Sequence, residues 1–253
     1  MKKLARKILP QKIWKILSFT KHYLCLPTLQ RWNARRFIDC ETVFKPTYSG
    51  KGQDISRSQY GQELFIFEEL FNEGKTNKVF VEVGANDPIE LSNTYYLEKM
   101  GWTGIAFEPI TYLCNKWELM CTTKCFPYVI GDEETWIDFE ELEGDQSTMS
   151  SVAGYGRMDF PHSYTTVKKQ MRKLENVLIE NSIGNVDVLF VDVEGFELEV
   201  IKGIDFEKVD IRCICIEAPP FTRATYSLRD YICNKGYVLK AHIGGDDIFM
   251  GRS

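Results

Sequence analysis

Four carboxylates stand where apolar runs end. Glu82 sits near the end of Val79-Phe-Val-Glu-Val83, Glu108 closes Gly104-Ile-Ala-Phe-Glu108, and Asp192 with Glu194 follows Val186-Asp-Val-Leu-Phe-Val191. Runs of this kind, rich in β-branched residues, read as buried parallel strands. An acid at the tip of one strand accepts hydrogen bonds from a ligand's ammonium group. An acid about 20 residues further on, at the tip of the next strand, accepts them from ribose hydroxyls. Gly84 lets the backbone turn tightly and a ligand come close. The loop has one glycine where a dinucleotide fingerprint needs three, so no pyrophosphate is expected. A neutral or cationic adenosyl ligand suits a pocket walled by acids. Gly131-Asp132 follows a third apolar run; there Asp132 either meets an adenine amino group or makes a simple turn.

Asp192-Val-Glu194-Gly195 faces the same crevice as Glu82. A carboxylate there either takes a proton from a substrate hydroxyl or, with its neighbour, binds a divalent cation that activates one. The plain alternative is a helix N-cap by Asp192. Of the three histidines, His162 is the best placed to act as a second base, since His22 and His242 lie near the two ends.

These residues need a frame. Apolar spacing predicts helices near 60–72, 89–100, 110–121, 166–182, 196–203 and 224–235. It predicts strands at 79–83, 104–108, 125–130, 135–140, 186–192 and 212–217, and a closing antiparallel pair at 237–241 and 247–250. Asp87-Pro88 reads as a helix start, with Asp87 as cap and Pro88 in the first helical position. Residues 143–163, rich in Gly, Ser and Asp, read as a loop over the site. Strands alternating with helices imply an α/β, doubly wound, mostly parallel sheet, with ligands at the carboxyl ends of its strands.

Composition narrows the function classes. The chain has 253 residues and a net charge of -5, but residues 1–36 carry ten Lys or Arg and no acid. An acidic body argues against general nucleic-acid binding. The basic segment 1–48 carries aromatic and apolar residues and is divided by Pro10 and Pro27. It reads either as a helical arm on an anionic membrane surface or as a helix packed on the domain. A linker then precedes the domain, giving an arm over 1–54 and a catalytic domain over 55–253. The eight cysteines show no paired Cys-x-x-Cys spacing, so no zinc site is expected, and they read as reduced thiols of a cytoplasmic protein. No run of about 18 uncharged apolar residues exists to span a membrane.

Several segments, taken in order, resemble the FkbM family of S-adenosylmethionine-dependent methyltransferases. They are Ser58-Gln-Tyr-Gly-Gln-Glu63, Phe80-Val-Glu-Val-Gly-Ala-Asn-Asp87, Leu91-Ser-Asn-Thr94, Gly101-Trp-Thr-Gly-Ile-Ala-Phe-Glu-Pro109 and Leu189-Phe-Val-Asp-Val-Glu-Gly-Phe-Glu197. The resemblance implies a class I, Rossmann-like fold with a seven-stranded sheet. It implies methyl transfer from S-adenosylmethionine to an oxygen, commonly a hydroxyl of a sugar, glycan or glycolipid. It implies that Glu82, Gly84, Asn86 and Asn93 border the methionine part, Glu108 holds the ribose and Asp132 the adenine. Asp192 and Glu194 then fall beside the transferred methyl. Where the family usually has Gly, this chain has Pro88. A rival reading is a non-catalytic module that kept the fold and docks to a membrane-associated glycan assembly complex.

Overall fold

The computed structural model describes residues 42–71, 77–142, 144–155, 164–218 and 223–251. The predicted arm therefore lies outside the described residues up to position 41, and so does His162.

The main sheet runs β1 (Val43–Lys45), β11 (Tyr237–Ile243), β12 (Asp246–Gly251), β10 (Asp210–Glu217), β9 (Asn185–Val191), β2 (Val79–Val83), β3 (Thr103–Phe107) and β4 (Lys124–Phe126). It is mixed: β12 pairs antiparallel with both β10 and β11, while the other pairings are parallel. The sheet has eight strands, not the expected seven. Val43–Lys45, within the segment read as an arm, adds the extra edge strand beside β11. Tyr48 is buried, and its N–H donates to the Tyr60 carbonyl at 2.7 Å, which ties this segment to the body.

Side-chain parity shows why the sheet is covered on both faces. Val81, Val83, Leu189, Val191, Ile214 and Ile216 enter one core, with the helices Leu174–Glu180 and Glu197–Lys202. Phe80, Val188, Phe190, Cys213 and Cys215 point the other way, toward Leu64, Tyr96 and Trp102. Alternation puts successive residues of a strand on opposite faces. The second face is thus the face of Glu82, and Asp192 and Glu217 continue its parity beyond Phe190 and Cys215.

A second sheet has the order β5 (Val129–Ile130), β8 (Thr165–Arg172), β6 (Thr135–Glu141), β7 (Ser151–Val152). It corrects two expectations. Residues 166–182 are not one helix: β8 is followed by the short helix Leu174–Glu180. The predicted strand 125–130 is divided between β4 in one sheet and β5 in the other. Lys, Gln, Met and Arg in β8 favour helix locally, but pairing with β6 from Thr165↔Glu141 to Met171↔Thr135 overrides them.

The predicted helix 89–100 is also shorter, at Tyr95–Lys99. Asp87 does cap, but it caps a turn. Its Oδ1 accepts the N–H groups of Ile89 and Glu90 at 2.9 and 3.0 Å. Gln62–Leu70 begins as α-helix and continues as a π-helical turn from Ile66. Among the described residues, no helix is long and apolar enough to cross a membrane.

Candidate active site

One cavity of about 280 Å3 opens at the carboxyl ends of β2, β9 and β10, where a doubly wound sheet is expected to bind ligands. It brings together Glu82, Gly84, Asn86, Asn93, Glu108, Asp192 and Glu194. Asp132, half-buried after β5, does not line it. Pro88 is buried and stays out of the lining, so this departure from the family pattern leaves the cavity open.

Each acid has a distinct setting. Glu82 is buried within the sheet, opposite Phe190 of β9 and Ala106 of β3. Thr94 Oγ1 donates to its Oε2, and the Asn93 N–H donates to Oε1 at 3.3 Å. Burial dominates these bonds and pushes the carboxyl up to about 7. Glu108 accepts the N–H groups of Asn86 at 2.8 Å and Ile110 at 2.7 Å. Burial again wins, and its carboxyl also rises to about 7. Both acids thus sit near their midpoint of ionisation at neutral pH, poised to be pulled into the charged form by a ligand donor.

The first loop is rigid for reasons internal to the chain. Gly84 has φ +80°, and a Cβ there would lie 1.8 Å from the Asp192 carbonyl oxygen. The close neighbour that demands glycine is therefore the end of β9, not a ligand. Asn86 also has a positive φ, which Asn tolerates better than most residues. Its side-chain Oδ1 accepts the Asp87 N–H at 2.8 Å, and its carbonyl accepts the Trp117 indole N–H at 2.9 Å. Lys116, on the same helix as Trp117, pairs with Asp87. The helix Thr111–Met120 therefore clamps the loop from behind.

Asp192 opens onto the cavity, and its N–H donates to the Val83 carbonyl at 3.0 Å, which joins the tips of β9 and β2. Burial, then the charges of Glu217, Asp246, Glu194 and Glu197, hold the Asp192 carboxyl well above the usual carboxylate range. The helix behind begins at Glu197, and no side chain caps it, so the N-cap alternative for Asp192 fails. Glu194 adopts φ +55° in the turn that follows.

Sequence reasoning missed several neighbours. Gln62 Nε2 donates to Asn93 Oδ1 at 2.7 Å, and Glu63 is buried beside it, accepting the hydroxyls of Ser56 and Ser58. Glu217 ends β10 as Asp192 follows β9, a signature visible in the sequence. Asp246 lies directly across from Glu217 in the antiparallel β10–β12 ladder, and no sequence signal reveals that pairing. Oxygens of Asp192, Glu197 and Glu217 all lie within 4.8 Å of one another. Beside Glu108, Ile110, Tyr128 and Ile130 form an apolar wall, with Tyr128 stacked on Phe126 at 5.9 Å between centroids. Ser147, Thr148 and Ser150 of the 3-10 turn Gly144–Met149 and the residue beyond it roof the cavity. This agrees with a loop over the site. The carbonyl of Tyr155 closes over Gly195, where a Cβ would meet it at 2.6 Å.

No Lys, Arg or His stands among the described residues that line the cavity. Such a site selects against anions and welcomes a ligand with positive charge. The family model described as the methyltransferase FkbM domain matches residues 82–239, beginning at the first of these acids. Comparison with curated proteins returns no match. Because that one match takes in more than half of the chain and all but two of the strands whose ends wall the cavity lie wholly or mainly within it, the chain belongs to the FkbM methyltransferases and is a methyltransferase enzyme.

Proposed function

We propose that the protein transfers a methyl group from S-adenosylmethionine to a hydroxyl of a sugar, glycan or glycolipid. The convergence of Glu82, Glu108 and Asp192 on one crevice carries this reading. The donor set fits: the buried acids suit a ligand with an ammonium group, a ribose and a sulfonium, and the apolar wall of Ile110, Tyr128 and Ile130 suits an adenine ring. When bound, the cofactor supplies an electrophilic methyl carbon that an oxygen can displace in line from sulfur.

The chain's own residues do the rest. Glu108 accepts the ribose hydroxyls, while its backbone partners Asn86 and Ile110 hold the carboxylate in place. Glu82, with Asn86 and Asn93, borders the amino-acid end. Asp192 takes the proton of the acceptor hydroxyl. Its raised affinity for protons, set by burial and surrounding acids, makes it a stronger base than an ordinary carboxylate. Glu194, on the same turn, flanks it. The roof over the cavity excludes water and keeps donor and acceptor aligned. The basic segment at the N-terminus, with its ten Lys or Arg, would hold the enzyme at the cytoplasmic face of an anionic membrane, near lipid-linked glycans.

Calorimetric titration with S-adenosylmethionine tests the cofactor. One site per chain is expected, and no heat and no thermal shift would leave only a fold without the activity. Mass spectrometry of surface glycans from a deletion strain tests the acceptor class, with loss of a methyl group as the expected result.

A further inference from the structure

A directional chain of hydrogen bonds runs from the backbone at Tyr60 to Glu82. The Tyr60 N–H donates to Gln62 Oε1 at 3.1 Å. A backbone N–H can only donate, so the Gln62 oxygen must face it and the Gln62 amide nitrogen must face away. Gly61, with φ +74° and the Tyr48 carbonyl oxygen 2.2 Å from where a Cβ would stand, turns the chain so that Gln62 folds back onto Tyr60. The Gln62 nitrogen, Nε2, donates to Asn93 Oδ1 at 2.7 Å. The Asn93 oxygen is thus turned toward Gln62, and its Nδ2, with two hydrogens, is turned away. Asn93 also reaches Glu82. Its backbone N–H donates to Oε1 at 3.3 Å, and its side chain bonds the same carboxyl. Thr94 Oγ1 donates to the other oxygen, Oε2. Gln62 and Glu82 are both buried, where a misdirected amide costs more than it does in water.

We infer that Gln62 is a positioning residue: it fixes which way the Asn93 amide faces, so that Asn93 presents donors, not a carbonyl, to Glu82 and to the cavity. One hydrogen of Asn93 Nδ2 serves the Glu82 carboxylate. The other is left for the carboxylate of the cofactor's amino-acid end, which finds no Lys, Arg or His among the described residues that line the cavity. Glu82 then holds the ammonium beside it. That use rests on the proposed cofactor, whereas the effect on Glu82 does not. An Asn93 amide turned the other way would set its oxygen against those of Glu82, acceptor against acceptor. The donors therefore oppose what keeps Glu82 protonated. Burial comes first, and the charge of Glu63, on the same helix as Gln62, adds to it. Across the sheet Glu82 stands opposite Phe190 and Ala106, which carry no charge. The thiols of Cys121 and Cys125 also feel Glu82. Burial raises the first, and contact with Cys114 together with burial raises the second, so both stay uncharged at neutral pH.

The test reads the Glu82 carboxyl directly, by carbon-13 NMR titration of the ligand-free full chain, with Glu82→Gln to assign the signal. Losing one hydrogen bond to a charged group shifts a carboxyl by about one pH unit. Gln62→Met keeps the side-chain length and removes both bonds, so it should raise the Glu82 midpoint by about one unit. Gln62→Asn, too short to span Tyr60 and Asn93, should do the same and serves if Gln62→Met does not fold. Asn93→Ala should also raise the midpoint, and adding Gln62→Met to it should move the midpoint no further. An unchanged midpoint in the Gln62 variants overturns the inference. Shifts that add in the double variant do so too, because a merely structural effect on burial would add. S-adenosylhomocysteine affinity gives a second readout. Gln62→Met should weaken it about sevenfold more at a pH of about 6 than at about 8.5, where Glu82 is ionised in both proteins. A deficit equal at every pH would mark a general loss of structure and refute the positioning role. A shifted Glu82 in a chain that binds no adenosylhomocysteine would refute the cofactor reading and leave that role standing. Binding by the wild type, with Glu82 unmoved in the variants, would refute the role alone.

Discussion

Glu82 and Glu108 make cofactor affinity depend on pH. Each carboxyl is held near 7 in the free protein, against an ordinary value of 4.5. The rise corresponds to about 3 kcal/mol of disfavoured ionisation per group. A ligand that donates hydrogen bonds or positive charge to the ionised form must drive off the proton. For one such group, raising the pH from about 6 to about 7.5 should tighten binding about eightfold. For both groups the effect approaches about sixtyfold. This window ends below the titration of the ligand's own amino group, which sits near 8. Near neutral pH each acid is about half ionised, so binding should release about one proton in total. Calorimetry of S-adenosylhomocysteine in buffers of different ionisation enthalpy measures that proton directly. The variants Glu82→Gln and Glu108→Gln should each remove one group's share of the pH dependence. A wild-type affinity that stays flat across the window, with no proton released, would refute the reasoning. The same groups set a sign for the ligand-free protein. Their folded values lie above the unfolded ones, so their contribution to stability is full below about 4.5 and is lost as pH rises through about 7. Thermal melts of the free protein should therefore fall across that range, and bound cofactor should reduce the fall.

Other outcomes test the frame. Gly84→Ala forces a Cβ against the Asp192 carbonyl at a positive φ, so it should destabilise the fold by about 2 kcal/mol or more and weaken cofactor binding; a melt and affinity like the wild type would contradict the packing described. Asp247 is fully buried; burial would raise its carboxyl, but Arg229 and His242 hold it below the ordinary range. Asp247→Ala strands the Arg229 charge in the core and should cost about 3–5 kcal/mol in denaturant unfolding. A chain starting at residue 42 keeps β1 and should lose liposome sedimentation while binding adenosylhomocysteine unchanged. Sedimentation at full strength after that truncation would show that the basic segment is not the membrane contact.

Much of the site is legible because a buried parallel strand leaves a plain trace. Apolar runs ending in Glu82, Glu108 and Asp192 mark both the strands and the acids at their tips, and the structure gathers all three. Glu217, at the end of the run Ile211–Ile216, carries the same trace. Asp132 shows the limit of the argument: it follows β5, whose Val129 and Ile130 line the cavity, yet the acid itself stays out of the lining. The segment 165–172 failed for a different reason. Its polar, helix-favouring residues show no clear alternation, and only partners on β6 and β5 make it a strand.

The order and type of residues thus determined the parallel core, its strand ends and the charge of the crevice, because burial on two faces demands apolar runs and function interrupts them. Pairing across distance was decided by the tertiary structure alone. Asp246 joins the acids because β12 turns back beside β10, and Gly84 is required because the tip of β9 presses on it. Nothing local encodes either contact: each depends on which strands become neighbours, and that follows from packing the whole sheet between its two cores.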